Sequence, residues 1–93
     1  MTVEVQIPRI LREYCRGAEE INVSAQTVGE ALSELEREHP TLYTSVCDET
    51  GTVRRHVNLF VNADLVLDRH RSAMDTPLRS GDVLTIWPSV SGG

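Results

Sequence analysis

Ninety-three residues are enough for one small domain and too few for a second that would carry its own cofactor. Apolar residues at 40% and charged residues at 25% fit a water-soluble globular chain and exclude a disordered or fibrous one. Fourteen acidic against nine basic residues leave a net charge of −5, a field that repels phosphate backbones, so nucleic acid is not an expected partner; all nine basic residues are Arg, which excludes Schiff-base chemistry and a P-loop lysine.

Along the chain, strict alternation over 2–7 places Val3, Val5 and Ile7 on one face of a first strand, and Pro8 closes it. Ile10 and Leu11 are expected to tuck into the core from the connection, with a turn at Gly17. Alternation returns over 20–23, the antiparallel hairpin partner of the first strand. Thr27-Val28-Gly29-Glu30 has the form of a capping box, and Val28, Ala31, Leu32 and Leu35 then keep helical spacing over 28–38 until Pro40 interrupts. Leu42 and Val46, four apart, suggest a short helical turn before a loop at 48–51.

A third strand over 57–62 buries Val57, Leu59 and Val61 and turns Asn58, Phe60 and Asn62 to the other side, which puts an aromatic on a polar face. Asn62-Ala63-Asp64 supplies a turn, 65–67 a short return strand, and 68–71 a charged stretch. Local turns at 75–78 and 80–82 lead into a last strand over 83–87, with Leu84 and Ile86 inward and Val83, Thr85 and Trp87 outward, stopped by Pro88. The expected fold class is α+β, a mixed sheet of four to five strands covered on one face by a single main helix. Residues 1–87 form the domain and 88–93 a tail too small and polar to pack.

That tail, six residues at roughly 3.3 Å each, reaches on the order of 20 Å, enough to enter another protein's active site. Gly92 and Gly93 have no Cβ, so a narrow channel can close around them and leave the last carboxylate unhindered, and Val90 is the only sizeable apolar residue beside Ser91. Adenylation would turn the Gly93 carboxylate into a mixed anhydride, and attack by a sulfur donor would then leave a thiocarboxylate. His39, His56 and His70 match no metal motif, Cys15 and Cys47 have no CxxC partner or feature that lowers a thiol pKa, and no metal site is expected. No Ser/His/Asp spacing and no phosphate-binding glycine loop occurs, so the chain is not expected to be an enzyme by itself. With no basic leader and no apolar run approaching the roughly 18 residues of a membrane span, a cytoplasmic, membrane-free protein is expected.

Three stretches, Val57-Asn58-Leu59-Phe60-Val61-Asn62, Asp75-Thr76-Pro77-Leu78-Arg79-Ser80-Gly81-Asp82 and Ile86-Trp87-Pro88-Ser89-Val90-Ser91-Gly92-Gly93, make the chain resemble the ThiS/MoaD family of ubiquitin-like sulfur carriers over nearly its whole length. Ile7-Pro8-Arg9-Ile10-Leu11-Arg12 and the strand after His56 are most similar to its CysO-like branch, which carries sulfur for cysteine synthesis. The resemblance implies a β-grasp fold and adenylation of Gly93 by an E1-like adenylyltransferase of the MoeB/ThiF type. That enzyme, not the carrier, uses ATP and magnesium. It further implies a thiocarboxylate on Gly93, sulfur delivery to a partner synthase, and a sheet face for docking on which Phe60 and Trp87 are neighbours. A free monomer is expected. The same chemistry serves other clients: molybdopterin synthase, for which the chain would be a MoaD-like small subunit, thiamin thiazole, a thiolated secondary metabolite or tRNA. A ubiquitin-related protein modifier and a binding module with an inert tail are the readings of another class.

Overall fold

The alternating opening becomes strand β1 (Thr2–Gln6) in the computed structural model, which describes residues 2–66 and 74–88. Val3 and Val5 are wholly buried and Glu4 and Gln6 lie on the other face. Strand β2 (Glu20–Ser24) pairs with β1 antiparallel, Gln6 opposite Glu20 and Thr2 opposite Ser24. The link between them is longer than a tight hairpin, because Arg9–Cys15 winds into a 3-10 helix that ends at Arg16 and Gly17, both with positive φ, 60° and 81°. Here the structure corrects one expectation: Ile10 does not tuck inward but is 67% exposed. A 3-10 helix has three residues per turn, so Ile10, Glu13 and Arg16 form one outward stripe and Cys15 takes the buried position. Leu11 does pack against the core.

Helix α1 (Val28–Glu38) begins where the capping pattern places it. Glu30 N–H donates to Thr27 Oγ1 at 3.1 Å, while the Glu30 carboxylate reaches one residue further back than expected and accepts from Gln26 N–H at 2.8 Å. A neighbouring segment also uses this end of the helix. Val28 N–H donates to Thr76 O at 2.9 Å, Leu78 N–H donates to Gln26 O at 2.8 Å, and Thr27 and Pro77 form an isolated antiparallel bridge. What composition suggests is a local turn at 75–78 is therefore a strap laid across the start of α1.

Pro40 forces His39 out of helical geometry, at φ −140° and ψ 71°, yet it is itself preset for a first helical position. A second helix, α2 (Pro40–Val46), starts there at once and adds wholly buried Leu42 and Val46 to the layer led by α1. The remaining strands are β3 (Val57–Val61), β4 (Asp64–Leu65) and β5 (Val83–Pro88). The sheet order is β2-β1-β5-β3-β4, with β1 and β5 parallel and the other pairs antiparallel. This is the mixed five-stranded sheet of a ubiquitin-like β-grasp fold, with the helices on one face.

The core lies between the layers, where Val28, Ala31, Leu32 and Leu35 of α1 and Leu42 and Val46 of α2 meet Val3, Val5, Val57, Leu59, Leu84 and Ile86 of the sheet. Each large side chain buried there stabilises the fold by roughly 1.5–3 kcal/mol. Val61, expected inside, is only half-buried. Pro88 does not stop β5 but is its last paired residue, opposite Val57; proline lacks a donor, so it is tolerated at a position where the ladder ends. Among the described residues no helix is long and apolar enough to cross a membrane.

Candidate docking site

Antiparallel pairing of β5 with β3 sets Leu59 opposite Ile86, Phe60 opposite Thr85 and Asn58 opposite Trp87. Leu59 and Ile86 are buried, so the pleat turns Phe60, Thr85, Asn58 and Trp87 to the outer face. Phe60 and Trp87 are then diagonal neighbours, a relation that spans about 7–8 Å. Trp87 is 59% exposed, whereas Phe60 is partly covered, flanked by Thr85 on one side and by Leu65, its partner on β4, on the other. The structure thus brings together the two aromatic residues that the sequence singles out.

It also adds two apolar residues that the sequence does not single out. Leu65 is 43% exposed and extends the strip from Phe60 toward the sheet edge. Ile10 lines a cleft together with Trp87 and Pro88, beyond the end of β5. The three-residue repeat of a 3-10 helix was the available signal for Ile10, but residues 9–15 carry no pattern that distinguishes it from an α-helix or a loop. Val90, Ser91, Gly92 and Gly93 lie outside the described residues, as does His70. Pro88, the last residue described, carries the chain toward them from the apolar end of the outer face.

Polar residues dominate the other side of that face. Gln6 Nε2 donates to the Glu4 carboxylate, and Glu20 lies opposite Gln6 on β2. A hydrogen bond with Glu4 and its negative charge hold the Glu20 carboxyl above its ordinary pKa. At the other end of β5, Asn62, with φ 54°, joins the strands: Asn62 Nδ2 donates to Asp82 Oδ1 at 3.2 Å and Val83 N–H donates to Asn62 Oδ1 at 3.1 Å. The Arg79 N–H, donating to Asp82 at 2.8 Å, and the Asn62 amide hold the Asp82 carboxyl below its usual range.

Both thiols are buried away from this face. Cys15 Sγ is 3.5 Å from each of the Arg12 and Ala18 carbonyl oxygens, and burial raises its pKa. Burial pushes the Cys47 thiol up to about 11, against the opposing hydrogen bond with Tyr43. Both are protonated at neutral pH, which is the wrong state for a sulfur-carrying nucleophile. Among the described residues no three His, Cys, Asp or Glu side chains converge as a metal-binding group.

Comparison with known proteins places this geometry in context. Residues 5–93 match the ThiS family. The sulfur carrier protein CysO of Mycobacterium tuberculosis is 35% identical over 95 residues, covering all of both chains. Small archaeal modifier protein 3 of Haloferax volcanii is 37% identical over 67 residues, 72% of this chain and 70% of that one. Among solved structures, the BexX/CysO complex of Amycolatopsis orientalis contains a chain that superposes with a TM-score of 0.84 at 32% identity, covering 98% of this chain and 99% of that chain.

Proposed function

The chain belongs to the ThiS family of sulfur carriers, and from that premise we propose that Gly93 is the atom-carrying end: an E1-like enzyme adenylates it and a sulfur donor converts it to a thiocarboxylate. The observation that carries this reading is that the family match runs through residue 93, so it includes the Gly92-Gly93 ending, in a chain aligned with a sulfur carrier over its full length. The Gly93 carboxylate attacks the α-phosphate of ATP and pyrophosphate leaves. Magnesium and ATP are held by the activating enzyme. Sulfur at the oxidation level of sulfide then displaces AMP and leaves a thiocarboxylate, anionic and nucleophilic at neutral pH. The carrier supplies no catalysis of its own. Its partner holds an electrophile, and a synthase of the cysteine-synthase type is the favoured client, in line with CysO.

In this reading Trp87 and Phe60 form the docking strip, with Val90, Ser91 and Gly92 as the segment a partner's channel encloses. Trp87 supports that role because it is a large aromatic left more than half exposed, and such residues are the usual anchors of protein interfaces. Adding one residue after Gly93 tests the chemistry. The variant should fold as before but give no pyrophosphate with ATP and the host's E1-like enzyme; cellular function that survives the extension undiminished would instead point to a binding module with an inert tail.

A second reading, a protein modifier, draws on the similarity to the small archaeal modifier protein; here the same activated Gly93 would be joined to lysines of other proteins. The absence of lysine from this chain excludes self-conjugation through that residue. An amide-linked Gly-Gly remnant on lysines of host proteins, lost when Gly93 is deleted, would favour it.

A further inference from the structure

The outer apolar strip does not end at Trp87. Beyond the ends of β1 and β5 an open cleft of about 610 Å³ is lined by Pro8, Ile10, Trp87 and Pro88, with Arg9 and Arg12 also in its lining. An adjoining cleft shares Ile10 and Pro88 and is lined by Tyr14, Arg54 and His56. Ile10, Tyr14 and Trp87 are three of the four large hydrophobic side chains left exposed among the described residues. No acidic side chain lines either cleft. Three acids stand at the edge of the lining: Glu19, 4.0 Å from Arg12 Nη1, and Glu4 and Glu20, which flank the lining residue Gln6 as its hydrogen-bond acceptor and its cross-strand partner. A chain with net charge −5 thus lines these clefts with apolar and cationic side chains, its acids standing outside the lining, at the end from which its C-terminal residues continue.

We propose that this cleft is a docking site for an acidic, apolar-tipped surface: a partner protein inserts one bulky apolar side chain between Ile10 and Trp87 and sets carboxylates against Arg9 and Arg12. It deepens the carrier reading and rests on it for the partner's identity, which is any enzyme that takes up Gly93. Arginine suits the site because its guanidinium stays charged and meets carboxylates through two parallel donors while its stem packs on apolar surface. Opposite charges at the rim speed encounter and fix register, and the buried apolar contact holds the complex. The chain's net charge of −5 disfavours acidic proteins on average, so an acidic partner gains most by meeting the arginines of the cleft.

The test is an NMR titration of the labelled full chain with two synthetic peptides that share a Leu-Phe centre, one flanked by aspartate and glutamate, the other by lysine. The expected result is that the acidic peptide moves the Trp87 indole N–H and Ile10 methyl signals. Its affinity should fall severalfold as salt rises from about 50 to about 300 mM, while the lysine peptide leaves these signals in place. Arg9→Glu, a change at an exposed position, should weaken the acidic peptide about tenfold, with the fold intact by its spectrum. Equal shifts with both peptides, or none at the cleft with either, would overturn the proposal. Shifts that grow with protein concentration alone would overturn it too, by assigning the cleft to a second copy of the chain. The titration needs neither ATP nor Gly93, so a chain that binds the acidic peptide but is never adenylated loses the carrier reading and keeps the docking surface, and the converse result separates them equally.

Discussion

Trp87 and Leu84 sit three residues apart on one strand, yet pleating gives them opposite fates, one 59% exposed and one wholly buried. Trp87→Ala should therefore leave thermal stability nearly unchanged and weaken binding to the E1-like enzyme by roughly 2 kcal/mol, about thirtyfold, measured by calorimetry or by KM in the adenylation assay. Unchanged affinity would remove Trp87 from the interface. Leu84→Ala should instead lower unfolding free energy by about 2–5 kcal/mol in a urea titration, because the cavity forms between sheet and helices. A loss under about 1 kcal/mol would contradict the core assignment. Gly29 decides a finer contest. Alanine in a helix interior is better than glycine by roughly 0.5–1 kcal/mol. A Cβ at Gly29, however, would stand 2.9 Å from Met74 Cβ and 3.0 Å from the Met74 carbonyl oxygen. The strap that holds Met74 is pinned by the Val28–Thr76 and Leu78–Gln26 hydrogen bonds, so it cannot yield cheaply. Gly29→Ala should lower the melting temperature; a rise would show that the strap moves freely.

At the scale of elements, β1, β3, β5 and α1 were legible because each is set by a local pattern, alternation for the strands and a capped apolar stripe for the helix. α2 was visible only as the Leu42–Val46 spacing, although Pro40 at its first position is a local signal as well. The 3-10 helix and the strap were not legible. Ile10 faces outward through a three-residue period that a short irregular segment does not announce, and the strap exists because Thr76 and Leu78 find partners far away in sequence. In the candidate site, Phe60 and Trp87 followed from alternation, whereas Leu65 and Ile10 joined them only through tertiary pairing. The junction of β3 and β5 carries its own prediction. Asp82 accepts from Arg79 N–H and Asn62 Nδ2, and its carboxyl is held below the usual value, so at acid pH the unfolded chain binds a proton more readily than the folded one. The stabilisation is present above the ordinary aspartate pKa and is lost as pH falls through the lower folded value. In melting curves collected from about pH 5 down to about pH 2, Asp82→Asn should show a shallower acid loss than the parent chain; parallel curves would mean that this carboxylate contributes nothing to acid stability.

Across the whole molecule, the sheet divides the chain's tasks. One face is closed by α1 and α2 over an aliphatic core, and the other keeps an apolar strip and a cationic cleft at the end that leads to residues 89–93. The two buried thiols, both protonated at neutral pH, leave the terminal carboxyl as the place for sulfur in this reading. The most direct test is peptide mass spectrometry on the untagged protein from its native host, isolated under conditions that protect thioacids. Trypsin cuts after Arg79 and releases residues 80–93, a peptide without cysteine, so any sulfur gained there cannot come from Cys15 or Cys47. The carrier account predicts replacement of one oxygen by sulfur at the C-terminus of that peptide during sulfur-demanding growth. A carboxylate alone under those conditions, together with no adenylate on incubation with ATP and the host's E1-like enzymes, would contradict it.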